Sequence, residues 1–437
     1  MSALDLGRRL AVLEGAAPFR VSGRVTALTG LVVRAAVEGA RQGELVEIRG
    51  ARREPLAAEV VGLQGEEAVL LPLGEPRGVG LEAAVVPSGR HLSVRVGPEL
   101  LGRVLDGLGR PLDGRPLPRG LAEWPVDRPA PGPLERRRVA EPLPLGVRAV
   151  DGFLTVGRGQ RLGLFAGSGV GKSTLLGQIA RQARSDLAVV CLLGERGREV
   201  RDFLEEALGG DGLARSVVVA ATSDAPALVR LRAAHVATAI AEWFAEEEGR
   251  EVLFLLDSLT RFARAQREVG LAAGEPPARQ GYPPSVFSAL PRLVERAGAR
   301  ARGVITAVYT VLVAGGDMEE PVADEVRGLL DGHVVLERSL AARGRFPAVD
   351  VLQSLSRLMP AVTSQGQRAA AARVRALLAA YESQRDLIAL GAYRRGGDAR
   401  VDEAIELMPA VEAFLGQGTR ECAPFAETVE RLEALAR

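Results

Sequence analysis

The sequence predicts an α/β protein with a largely parallel sheet, a small N-terminal β-barrel and a C-terminal helical domain. Three observations carry this. Between Gly146 and Gln353, apolar runs near Leu187–Leu193, Ser216–Ala221, Val252–Leu256, Gly303–Val311 and His333–Leu336 alternate with helical stretches, the pattern of successive βα units. From Val21 to about Arg90 the texture is short β segments, such as Gly23–Leu28, Leu45–Ile48 and Ala68–Leu71, broken by glycine turns. Such spacing reads as a small sandwich or barrel. From Gln367 onward the pattern is helical, with Arg373, Arg375 and Arg385 set against Leu377, Leu378 and Leu387.

Taken in order, residues 1–20 read as a helical arm, with Leu4, Leu10 and Leu13 roughly on one face. It is either a packing helix or a docking arm for a membrane or partner. Residues 21–90 form the barrel domain. No Phe, Tyr or Trp falls between Val21 and Arg90; a nucleic-acid-binding barrel needs aromatic platforms for base stacking, so this one reads as structural. Residues 91–145 read as a connector packing on the core, irregular and rich in Pro and Arg from Pro116 to Pro144. Residues 146–366 form the α/β core and 367–437 the helical domain.

The 437 residues suffice for two or three domains. A net charge of +1 argues against a dominant role on nucleic acid or an anionic membrane. Aromatics are only 4% of the chain, so Leu, Val and Ala must build the core. Two distant cysteines, Cys191 and Cys422, imply no disulfide framework and fit a reducing cytosol. No signal peptide and no apolar run of membrane-spanning length is present in the sequence.

The chemistry centres on Ala166-Gly167-Ser168-Gly169-Val170-Gly171-Lys172-Ser173-Thr174. Only one of the 56 basic residues is a lysine, and it is Lys172. A glycine-rich loop between a strand (Arg161–Phe165) and a helix (from Leu175) presents backbone N–H groups to phosphates. Its Lys reaches the β/γ oxygens and its hydroxyl takes Mg²⁺. The residues 167–174 are therefore candidate nucleoside-triphosphate ligands, and Ser173 a candidate metal ligand. A compact ammonium fits this slot where a planar guanidinium does not.

Two carboxylates belong with it. Phe254-Leu255-Leu256-Asp257 is an apolar strand ending in an acid. Asp257 either holds Mg²⁺ through water or caps the next helix. Glu195 follows the strand Leu187–Leu193, so it stands at a strand tip on the same edge, where ligands gather in such sheets. It either orients the water that attacks the γ-phosphorus or pairs with Arg198 or Arg201. Arg357, in Ser354-Leu355-Ser356-Arg357, ends the α/β region. It is either a surface arginine or a finger supplied to a neighbouring subunit.

Longer stretches now combine: Gly194–Val200, Leu256–Glu268 (Leu-Asp-Ser-Leu-Thr-Arg-Phe-Ala-Arg-Ala-Gln-Arg-Glu), Gly274–Pro277, Asp317–Pro321 and Ser354–Arg357. Together with the Ser173-Thr174 pair they resemble the type III secretion ATPases, relatives of the catalytic subunits of rotary ATP synthases. The resemblance runs from about Val21 to Gln417. It implies a RecA-like P-loop ATPase core and a cytoplasmic, homohexameric motor bound peripherally to an inner-membrane secretion complex. The implied motor uses ATP and Mg²⁺. Its implied partners are a central rod-like stalk, a peripheral stator, export substrates with their chaperones, and a membrane export gate, with no nucleic acid.

Residue by residue, the resemblance implies that Lys172 binds the β/γ-phosphates and Ser173 the magnesium. Glu195 becomes the catalytic carboxylate, Asp257 the outer magnesium residue, Arg261 a γ-phosphate sensor and Arg357 the finger. Arg196 supports the site by pairing, and Gly270 to Pro284 faces the central channel. Phe262-Ala263-Arg264-Ala265 looks more like injectisome members than flagellar ones. One departure stands out: rotary catalytic subunits place an adenine-stacking aromatic shortly after the Ser-x-Ser-Arg motif, and Pro360 to Arg368 has none. An RNA-tracking hexameric translocase and a non-hydrolysing ring subunit are the competing readings. The aromatic-free barrel and the neutral charge oppose the first, and Glu195 opposes the second.

Overall fold

The structure, a computed structural model, describes residues 22–50 and 54–437; the arm expected at 1–20 lies outside them. The chain forms two compact units, one through Leu92 with Ala272–Gly274, the other Ser93–Leu271 with Glu275–Arg437.

In the first unit, β1 (Gly23–Thr29), β2 (Val32–Ala36), β3 (Leu45–Arg49), β4 (Leu56–Gln64), β5 (Glu67–Pro72) and β6 (Ala84–Pro87) close into an antiparallel barrel, order β1-β2-β5-β4-β3-β6. Alternation sets the inside: in β2, Val33 and Ala35 are buried while Arg34 and Ala36 face out. Val25, Val46, Ile48, Val60, Leu70 and Val85 fill the interior. Closure leaves no edge strand open to foreign pairing.

The second unit is built on a nine-stranded sheet. Its strands are β8 (Arg103–Asp106), β10 (Arg161–Ala166), β11 (Leu187–Leu193), β12 (Ser216–Ala221), β13 (Glu251–Asp257), β14 (Gly298–Ala299), β15 (Val304–Leu312), β16 (Gly332–Leu336) and β17 (Val349–Ser356). The order is β17-β16-β10-β15-β13-β11-β12-β8, parallel except for β17 and for β14, which pairs with β15. Continuous apolar strands are what a sheet covered on both faces requires: all seven residues of β11 are buried. The helix Ala227–Glu246 is buried along nearly its whole length.

The region 91–145, expected as a connector packing on the core and irregular from Pro116 to Pro144, carries three short strands. β7 (Ser93–Val96) pairs antiparallel with β9 (Ala122–Pro125), and β8 joins the main sheet beside β12. Polar residues hid β8. Arg103 is buried, and its guanidinium is satisfied by Asp113 at 2.6 and 2.9 Å. That ion pair holds the Asp113 carboxyl well below the usual carboxylate range.

Helices Gln365–Ala389, Ala399–Leu415 and Phe425–Leu435 form the C-terminal bundle. It is tied to the sheet through the short helix Arg148–Phe153. Arg148 donates to the Phe414 carbonyl at 2.9 Å, Gln417 to the Gly146 carbonyl at 2.7 Å and Gln367 to the Thr155 hydroxyl at 2.9 Å. Phe153 and Phe414 meet edge to face at 5.9 Å, both fully buried. Phe414→Ala should therefore lower stability by about 3–5 kcal/mol. A fall in the melting temperature of the helical bundle, followed by scanning calorimetry, checks this.

Candidate active site

Parallel strands deliver their C-terminal tips to one edge, so the chemistry falls where the sequence places polar residues at strand ends. β10 ends at Ala166, and the helix Lys172–Gln182 begins at the lysine itself. The connecting turn needs left-handed backbone at Gly169 (φ 78°) and Gly171 (φ 90°). A Cβ would meet nothing within 4 Å of Gly169, so conformation rather than space demands glycine there. Ser173 and Thr174 lie exposed on the first turn.

β15 lies between β10 and β13, and β11 follows β13. This order brings Asp257, at the tip of β13, and Glu195, just past β11, to the loop. The Lys172 ammonium is bonded to Asp257 Oδ1 and stands 3.7 Å from Glu195 Oε1. Thr310, buried near the end of β15, donates to the same Asp257 oxygen at 2.7 Å. Arg261, on the helix Leu259–Ala272, donates to the Gly194 carbonyl and to Glu195 Oε2, the latter at 3.0 Å. Gly194 (φ 62°) makes the turn out of β11; a Cβ there would come within 3.0 Å of Arg261 Cδ.

The Glu195 carboxyl is pushed up to about 7. Burial is the main cause, followed by a hydrogen bond with Glu199 and the negative charge of Asp257. Lys172 and Arg261 pull it back without winning. The shared hydrogen bond pulls Glu199 down. Arg196 is exposed, and its backbone N–H reaches Glu199 at 3.4 Å.

Arg357 lies elsewhere. β17 runs antiparallel to β16, with Val349 opposite Leu336 and Ser356 opposite Gly332. The exposed Arg357 therefore sits at the sheet's opposite edge, about 13 Å along β16 from the loop-bearing tips. It does not join its own chain's cluster.

Two residues escaped the sequence reading. Thr310 carried only a weak signal, a polar residue near the end of an apolar strand. Phe346 stands before β17, not after it. Its half-exposed ring lies 3.7 Å from where a Gly171 Cβ would be, and its carbonyl accepts from the Gln417 N–H at 2.8 Å. So an aromatic does flank the loop, although Pro360 to Arg368 holds none. Beside the first helical turn a cleft of about 400 Å³ is lined by Ser173, Thr174, Arg181, Phe203, Thr419 and Arg420.

A magnesium ion fits this donor set. Among the described residues no group of three or more His, Cys, Asp or Glu forms a metal cage. One exposed hydroxyl and one carboxylate are what Mg²⁺ uses when phosphates and water supply the rest.

A phosphate loop, two strand-tip carboxylates and one interposed strand define a P-loop nucleotide hydrolase. Residues 146–356 match the ATP synthase alpha/beta family, nucleotide-binding domain, and residues 363–434 the T3SS EscN ATPase C-terminal domain. The chain belongs to the type 3 secretion ATPase family, which includes the flagellum-specific ATP synthases, and it is an ATPase. It is 51% identical to the flagellum-specific ATP synthase of Bacillus subtilis over 94% of each chain. It is 50% identical to the type 3 secretion system ATPase of Xanthomonas euvesicatoria, over 98% of this chain and 97% of that one. The assembled ATPase EscN of enteropathogenic E. coli superposes with a TM-score of 0.90 at 43% identity, covering 95% of this chain and all of that one. EscN in complex with its central stalk EscO gives 0.88 with the same identity and coverage.

The raised Glu195 carboxyl gives its expected role as catalytic base a test. A base must be ionised to act, so in that role kcat/KM for ATP should climb as pH rises through about 7 and level off above it. A flat profile between pH 6 and 8.5 would contradict the assignment.

Proposed function

We propose that this chain is the ATP-hydrolysing motor of a type III protein export apparatus. It works as a homohexameric ring that couples Mg-ATP hydrolysis to chaperone release, unfolding or delivery of export substrates to the membrane gate. The observation that carries the chemistry is Lys172 held between Asp257 and Glu195 at the loop-bearing edge. Residues 167–174 cradle the phosphates, with Lys172 on the β/γ oxygens. Ser173, with Asp257 behind it, would hold Mg²⁺, which neutralises developing phosphate charge when bound. Glu195 accepts the proton of the attacking water. Arg261, already on Glu195, senses the γ position. Phe346 offers a ring face to the base.

Arg357 serves a neighbour's site. Its position at the opposite edge keeps it from its own Glu195, which supports a finger supplied in trans. The EscN–EscO complex supports a central stalk as partner. A peripheral stator, cargo chaperones and the export gate complete the proposal. Among the described residues no helix is long and apolar enough to cross a membrane, in keeping with a cytoplasmic ring held peripherally at the inner-membrane complex. Flagellar and injectisome relatives match at 51% and 50% identity, so the Phe262–Ala265 sequence alone favours the injectisome. The barrel strands carry no aromatic, which disfavours an RNA-tracking function.

Arg357→Ala should keep nucleotide binding and lose turnover by about 10³-fold or more, and Glu195→Gln should do likewise. Mixing the two inactive variants should restore phosphate release, because an Arg357→Ala protomer beside a Glu195→Gln neighbour regenerates a complete site. Mixtures that stay inactive while still assembling would exclude the trans arrangement.

A further inference from the structure

The strand on the outer flank of the phosphate loop carries a cation that the proposed chemistry does not use. Arg338 opens the helix Arg338–Ala342 directly after β16. It is exposed, and among the described residues it forms no ion pair. Its hydrogen bond goes to the Ser168 carbonyl, at 3.4 Å. The same nitrogen lies 3.9 Å from where a Gly167 Cβ would be. Arg161, Arg261, Arg296 and Arg345 of the same unit each meet a carboxylate, whereas the Arg338 guanidinium has only a carbonyl. An unpaired guanidinium beside a loop already built to receive an anion is a constellation that phosphate completes.

Sheet order fixes its direction of approach. β16 borders β10 on the side away from β15, β13 and β11. Lys172, Asp257 and Glu195 therefore occupy one flank of the loop and Arg338 the other. Its backbone is held in place: the Glu337 side chain accepts the Ser339 N–H at 3.1 Å, and the Glu337 N–H bonds the Ala348 carbonyl at 2.9 Å. The same segment ends at Phe346, against Gly171. The nine residues Arg338–Phe346 thus place a cation at one end of the loop and an aromatic ring at the other.

We infer that Arg338 is a further nucleotide ligand, donating to an oxygen of the di- or triphosphate chain from the flank opposite Asp257. A 3.4 Å bond to a neutral carbonyl is long and weak, whereas a phosphate oxygen offers the guanidinium an ionised acceptor. The exchange asks only for rotation of an exposed side chain. The inference rests on the phosphate-loop reading, and the test separates the two.

Binding of ADP, a non-hydrolysable ATP analogue and AMP to the full chain is measured by competition against a fluorescent nucleotide. Arg338→Ala should weaken ADP and the ATP analogue about tenfold or more and leave AMP within about twofold. Arg338→Lys should recover part of the loss. Unchanged ADP and ATP-analogue affinity would overturn the assignment, even if oligomerisation falls, and so would an equal loss for AMP. Lys172→Ala is the control: if it binds ADP and the analogue like the parent chain, the phosphate-loop reading itself fails, whatever Arg338 does.

Discussion

The active edge of the sheet is organised around one ammonium. Lys172 is bonded to Asp257 and within ion-pair reach of Glu195, and these three groups come from β10, β13 and β11. Their meeting requires the strand order, with β15 interposed, and the left-handed glycines that turn β10 into its helix. Two acids this close need a cation between them. Even so, Glu195 stays raised, so burial outweighs the attraction of Lys172 and Arg261. A carboxylate poised near neutrality suits proton transfer better than one fully locked in an ion pair.

The loop, Asp257 and Glu195 were legible as candidates because each sits where an apolar strand meets polar sequence; Arg261, inside the helix Leu259–Ala272, was reached only through the family resemblance. β11 and β12, buried throughout, and β13, buried from Val252 onward, read directly as apolar runs. β8 was not legible: in four residues it has an arginine at one end and an aspartate at the other. Its burial depends on Asp113, ten residues away, which no local periodicity reports. Thr310 was missed for a similar reason, since its partner Asp257 lies two strands back in sequence and becomes its neighbour only when β13 pairs with β15.

Phe346 shows a different limit. Looking for a base platform after Ser354-Leu355-Ser356-Arg357 assumed that the chain beyond β17 returns to the loop. The antiparallel register does the opposite. β17 begins beside the loop-bearing tip of β16 and carries the chain away from it. The residues just before β17 therefore lie near the loop, and those that directly follow it start from the far end of β16; the chain comes back beside the loop's helix at Gln417 to Arg420. A ring at 346 and a guanidinium at 338 bracket the loop because both precede that departure.

The same register makes the argument for assembly. A single copy holds Glu195, the proposed base, at one edge of the sheet and Arg357, the proposed finger, at the other, and no rotamer of an arginine closes a gap of about 13 Å from backbone to loop edge across the sheet. In those proposed roles the two residues meet only between copies that contact each other through different faces. Such a heterologous contact either closes into a ring or runs on as a filament. Because every copy supplies both, closure leaves no seam without a base and no seam without a finger. On the proposed trans arrangement, hydrolysis at each seam would depend on how its two protomers are set against each other, since neither protomer alone brings Arg357 to Glu195.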